Sequence, residues 1–312
     1  MERYGLSKFQ IYIVTLFAFS ITTVSAKADD EYWISIANAR FNILTNTTQQ
    51  QALEVLTTLE EFRVASQNVI RVAEPADNTE ILVILFDTFS EFSKYRPGRI
   101  VAGYALISAT NPIIVMPVES RGLDALLVAK HELVHALMRN HPIRFPQWYQ
   151  EGIAELLSRM EINGGEFVLG KPPKDRAFRG IKPIPFERIL KDSYPTHRST
   201  LVSEGGDPYF QYWLLTHYLL LGAPPEIKAG LAPYLESVHA GGDPVAVFEP
   251  TFGVPLRKLW RKHLRPYWKK LPLFKSTFDT GELDLNYSVS NVQTEQLDEI
   301  FARLRNVTFG NK

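Results

Sequence analysis

The chain contains no cysteine. Disulfides, a cysteine nucleophile, a thiolate zinc site and a lipidated N-terminal cysteine are all excluded, although the compartment is not thereby identified. It also lacks an excess of either charge. Lys plus Arg and Asp plus Glu each total 34, so no bulk field selects a nucleic acid as partner. Beyond the N-terminus no apolar run approaches the ~18 residues of a membrane span, and a soluble mature chain is expected. Internal repeats are absent too. What is present is ordinary globular material: 312 residues, 45% hydrophobic and 22% charged. That length suits one large domain or two intimately packed subdomains around a sizeable core.

The N-terminus departs from this background. Arg3 and Lys8 precede an apolar stretch from Phe9 to Val24, and the small residues of Val24-Ser25-Ala26-Lys27-Ala28 follow it. A short basic segment, an apolar stretch and an A-x-A end read as a signal peptide over residues 1–28, cleaved after Ala28 or alternatively after Ala26. The expected location is periplasmic or secreted. The other reading is an uncleaved N-terminal membrane anchor, for which about 16 apolar residues is slightly short.

Further along, residues 32–46 read as strands, and residues 48–72 as a helix behind the caps Thr47 and Thr48. Ile81–Phe86 is the fully apolar run of a buried strand. Phe89 to Tyr95 reads as a short helix, and residues 100–107 and 112–117 as two more strands around a turn. A helix is expected over 121–139, ending near Asn140, and a second from Pro146. The Gly- and Pro-rich stretch after Met160 reads as an exposed hairpin or loop. From Pro208 onward the pattern reads as helices only.

The chemistry concentrates in the middle. His131-Glu132-Leu133-Val134-His135 is HExxH. On a helix, positions four apart lie one turn above each other, so both imidazoles reach one cation while Glu132 projects toward a metal-bound water. Zinc suits neutral imidazole with carboxylate. Fifteen residues separate His135 from Glu151, enough for a helix end, a Pro-bounded turn and a helix running back. Glu151 then becomes a third ligand, with Gly152 allowing close backbone approach. Glu155, one turn on, is placed to accept the outer N–H of a ligating histidine. His141 reads as a loop residue.

The string Trp148-Tyr149-Gln150-Glu151-Gly152-Ile153-Ala154-Glu155 resembles the W-x-x-E-G-x-A-E segment of gluzincin metallopeptidases. Among these, the bacterial peptidase MA-like proteins are more similar than the M1 aminopeptidases, which carry N-E-G-F-A. They share a strand–helix–strand lead-in, P-x-W-x-x-E-G after HExxH, and a later Tyr-containing helix. The resemblance covers most of residues 35–265 and implies a zincin-like fold. It also implies that Tyr209, in a segment similar to Y-x-K-G-x-x-x-L, hydrogen-bonds the oxyanion of a tetrahedral intermediate. Gln211 and Tyr212 depart from the Lys and Gly of that pattern, and His217, two turns on, is the reserve for the same role. No G-x-M-E-N segment precedes HExxH, so aminopeptidase activity is not favoured.

The expected architecture is α+β. Residues 29–120 form an N-terminal mixed α/β subdomain, 121–170 the two-helix metal core, 171–275 a mainly α-helical C-terminal subdomain, and 276–312 a tail with a terminal helix. The expected function is a Zn2+-dependent metallopeptidase acting on a peptide or protein, with Glu132 as general base. Two readings stay beside it: a non-catalytic zinc-bearing binding or scaffold protein, and a hydrolase of non-peptide amides. Residues 255–270 hold seven Lys or Arg with interleaved Trp and Leu. A packed helix with a solvated basic side explains them, and an anionic membrane or cell-wall contact is the sharper reading.

Overall fold

Strand β3 (Ile81–Phe86) is apolar at every position because it is buried on both faces. The computed structural model describes residues 32–70, 80–98, 101–107, 112–119, 124–139, 141–173, 183–192 and 208–309. The signal-peptide segment 1–28, the turn at 108–111 and the helix-ending Asn140 lie outside these residues. Tyr32–Lys312 clusters as a single unit.

The main sheet has six strands. A hairpin of β1 (Ile34–Ala37) and β2 (Phe41–Thr45) is closed by Asn38, whose side-chain oxygen accepts from the backbone N–H groups of Arg40 and Phe41 at 2.9 and 2.7 Å. Strand β2 pairs in parallel with β3 through the crossover helix α1 (Gln49–Ile70), and β3 pairs in parallel with β5 (Pro112–Pro117). On one edge β4 (Tyr104–Ile107) runs antiparallel to β5. On the other edge β9 (Ser288–Asn291) runs antiparallel to β1, giving the order β4-β5-β3-β2-β1-β9.

Period-two alternation divides the core in two. Ile43, Val83, Leu85, Ile114 and Met116 face α1 and α3 (Ala125–Met138). Leu44, Ile84, Phe86, Ile113 and Val115 face the other way, onto Trp33, onto Phe92 of the short helix α2 (Phe89–Ser93), and onto Ile300 and Leu304 of the C-terminal helix (Thr294–Phe309). The fold is thus mixed α/β, a sheet with helices on both faces, followed by a largely helical region.

One expectation is corrected here. The region after Pro208 is not helical throughout. It contains β9 and also β8 (Phe274–Thr277), which joins the hairpin of β6 (Glu161–Asn163) and β7 (Glu166–Leu169) in a three-stranded sheet. Both late strands are four residues long and mostly exposed, so neither shows the apolar alternation that marks a strand. In 276–312, expected as a tail with a terminal helix, β9 completes the main sheet, and Ile300 and Leu304 of the terminal helix complete its second core. A smaller correction concerns α3, which is capped by Asp124. Its carboxylate accepts from the N–H groups of Leu126 and Leu127 at 3.0 and 3.3 Å, so Asp124 caps the helix at Ala125, and the expected positions 121–123 lie outside the described residues.

The return of the C-terminal chain is anchored by a buried ion pair on α1. Arg63 donates from Nε and Nη2 to the two oxygens of Glu60 at 2.9 and 2.7 Å, and Glu60 also accepts the backbone N–H of Asp284 at 2.9 Å. Glu60 is wholly buried. Removing Glu60 takes the bidentate carboxylate from a buried guanidinium. We therefore expect Glu60→Ala to destabilise the protein by about 3–5 kcal/mol in denaturant titration. A loss below about 1 kcal/mol would mean that the pair is solvated in solution.

Candidate metal centre

The packing of α3 against α4 (Gln147–Ser158) sets the site. Along α3, Leu133, Val134, Leu137 and Met138 enter the core, leaving His131, Glu132 and His135 on a face only partly covered. Pro146 precedes α4, and Trp148, Ile153, Leu156 and Leu157 bury the helix. His135 meets Glu151 alone, whereas His131, one turn earlier, meets both Glu151 and Glu155, one turn later. The two helices therefore run antiparallel across the site.

Three atoms with lone pairs converge. His131 Nε2 and His135 Nε2 are 3.2 Å apart, and Glu151 Oε2 lies 3.3 Å from the first and 3.7 Å from the second. A tetrahedral ion with bonds of about 2.0–2.1 Å holds its ligand atoms about 3.3–3.4 Å apart, so the triangle fits a metal of zinc's size. Among the described residues this is the one cluster of His, Asp and Glu with such convergence. The three side chains are 16%, 14% and 15% exposed, which leaves them largely desolvated yet open on one side.

A supporting shell surrounds the three. Glu155, buried, points Oε1 at His131 Nδ1 across 3.7 Å, and its Oε2 accepts from Arg159 Nη1 at 2.7 Å. Arg159 is the member that sequence reasoning passes over, although its i,i+4 spacing from Glu155 announces the pair. Burial pulls the pKa of His131 down, but contact with Glu151 and the charges of Glu155, Glu151 and Glu132 outweigh it and raise it. Burial likewise works to raise the Glu151 pKa, and is overcome by hydrogen bonds and charge from His131 and His135, which hold the carboxyl far below its usual range. Glu132 is thus close enough to His131 to act on its charge.

Behind α4 stands α6 (Pro208–His217), with the short helix α5 (Phe186–Leu190) preceding it. Tyr209 is half-buried on α6, its ring edge-on to Tyr212 at 5.8 Å between centroids. The Tyr212 hydroxyl donates to buried Asp192, and the Glu151 charge acts on Tyr212, which places this face of α6 near Glu151. His217 does not share that environment. It is fully buried, its Nε2 donates to the carbonyl of Gly170 at 3.0 Å, and its Nδ1 accepts from the Tyr267 hydroxyl at 2.5 Å. With both ring nitrogens engaged it has no donor to offer a substrate. The reserve oxyanion role is therefore withdrawn from it. A comparison with known protein families finds no matching family, and a search of curated proteins finds no match.

Two outcomes follow from this packing. A Cβ on Gly152 would lie 2.1 Å from Thr216 Oγ1 and 2.5 Å from the Tyr212 carbonyl oxygen. Gly152→Ala is accordingly expected to destabilise by about 1–3 kcal/mol despite the roughly 1 kcal/mol that alanine gains in a helix. Adding Thr216→Ala should not restore the loss, because the carbonyl remains; full recovery in thermal melts would show that α4 and α6 can separate freely. The second outcome concerns acid. Burial lowers the His217 pKa to about 4, against the smaller opposing effect of the Gly170 carbonyl. The unfolded chain therefore takes up this proton first as pH falls. Stability should drop by roughly 3 kcal/mol from near pH 6.5 to near pH 4 and level off below. Denaturant midpoints of His217→Gln should lack this component, and equal acid slopes for the two proteins would refute it.

Proposed function

We propose that the protein is a zinc-dependent hydrolase of gluzincin type that cleaves peptide bonds. The observation that carries this reading is the triangle of His131, His135 and Glu151 with Glu132 beside it on the same helix. The donor set contains two imidazoles and a carboxylate and no thiolate, which suits zinc, and it leaves room for a further ligand as catalytic zinc sites do. Bound zinc supplies Lewis acidity and makes a coordinated water acidic enough to react near neutral pH.

The protein's own groups then have distinct tasks. His131 and His135 serve as neutral Nε2 donors. Glu155, itself held by Arg159, faces the outer nitrogen of His131 and favours the tautomer that leaves Nε2 free. Glu132 takes a proton from the attacking water and delivers it to the departing amine, so the carboxylate is regenerated in each cycle. Tyr209 donates its hydroxyl to the oxyanion that forms when the carbonyl is attacked. The zincin-like assignment draws support from the position of α3 against the sheet, and the gluzincin assignment from Glu151 and Glu155 one turn apart on α4. The N-terminal apolar segment supports export to the periplasm or beyond.

The decisive variant is Glu132→Gln. Metal content measured by mass spectrometry should equal that of the unmodified protein, while cleavage of a peptide library falls by at least about a hundredfold. Glu151→Ala should instead lose the metal. Unchanged cleavage by Glu132→Gln would remove the general-base assignment, and no cleavage by the unmodified, zinc-loaded protein of peptides or other amides would favour a non-catalytic zinc protein.

A further inference from the structure

We propose that the segment from Pro255 to Lys275 is a docking surface for an anionic lipid bilayer, independent of the metal centre. This stretch carries eight Lys or Arg and no Asp or Glu, within a chain whose charges otherwise balance. The structure turns those charges outward. Leu259 and Leu264 enter the core, while Arg257, Lys258, Arg261, Lys262 and Arg265 are exposed on the opposite side of the same helical segment. Among the described residues none of the eight cations is held in an ion pair. Their charge is therefore available to an external surface rather than spent internally.

Charge alone would suit any polyanion. What selects a bilayer is the apolar pair that follows. Leu273 and Phe274 are 49% and 44% exposed, among the most exposed large hydrophobic side chains of the described residues. Lys269 and Lys270 precede them in sequence, and both are exposed. Exposed aliphatic and aromatic groups next to a cationic helical segment in the chain match the two parts of a lipid interface, headgroup charge outside and acyl chains beneath. A nucleic acid backbone offers the charge but nothing for Leu273.

Vesicle sedimentation with the full chain tests this. Phosphatidylcholine vesicles containing about 30% phosphatidylglycerol are compared with vesicles of phosphatidylcholine alone. Any contribution of the N-terminal apolar segment is common to the neutral and anionic arms, so their ratio isolates the electrostatic part. The expected result is preferential binding to anionic vesicles that weakens with added salt. The triple variant Arg257→Glu/Arg261→Glu/Arg265→Glu should lose about a hundredfold or more of that preference. Leu273→Ser/Phe274→Ser should lose about tenfold at unchanged charge. All five positions are exposed, so metal content and cleavage should stay at the unmodified level. Equal binding to both vesicle types, or no response to the charge reversal, overturns the proposal. So does an indifferent Leu273/Phe274 variant combined with equally tight binding to duplex DNA or an acidic polysaccharide, which would mark a general polyanion surface.

Discussion

Everything at the site depends on where helix α4 sits, and α4 is located by the absence of a side chain at Gly152. The helix is clasped between α3, which receives Glu151 and Glu155, and α6, which approaches so closely that no Cβ fits between them. An interhelical gap opened by one methyl group would move the Glu151 oxygen relative to two imidazole nitrogens spaced 3.2 Å apart. A metal site tolerates displacements of only a few tenths of an ångström in its ligands. Gly152 is therefore next to Glu151 in sequence for a reason of packing: it lets the helix that carries Glu151 press onto its support. The residue serves the crowding of two helices more directly than any crowding of substrate.

The charges around this site are carried by two facing helices. Glu151 and Glu155 on α4 bring two carboxylates to the imidazoles of His131 and His135 on α3, and Arg159 holds Glu155 in place. Contrast Glu60 and Arg63, also buried, where acid and base meet with bidentate geometry on one helix and Gln67 and the backbone add further bonds. Burial of charge is costly unless it is paired, so each cluster depends on the partners that the fold brings to it.

How much of this could be read from the sequence follows from the distance over which each feature is specified. His131, Glu132 and His135 share one helical face by spacing alone, and Glu151 and Glu155 share another; joining the two needed only a turn of the length that Asn140 to Pro146 provides. The apolar run Ile81–Phe86 announced a buried strand because burial on both faces leaves its mark at every residue. By contrast β9 has one apolar residue in four, and its place in the sheet is set by Ile34–Ala37, some 250 residues earlier in the chain. Asp284 is tied to Glu60 across a similar separation. His217 looked available because a histidine at that spacing on a helix can face either way. Which way was decided by Gly170 and Tyr267, neither of them near it in sequence.

Those two partners also explain how the far end of α6 is held. After His217 the helix widens into a π turn over Tyr218–Gly222, and a second π segment, Leu259–Leu264, lies across from it. Such turns are less favourable than α-helix and persist where outside contacts require them. Here Tyr267 bonds His217, His263 bonds the hydroxyl of Tyr218, and the Tyr267 ring occupies the space where Gly222 has no side chain. These bonds tie four polar aromatic groups, His217, Tyr218, His263 and Tyr267, across the two widened turns. One end of α6 is thus fixed by side chains from the later helical segment, and Thr216, one residue before His217, is where α6 closes on Gly152 of α4.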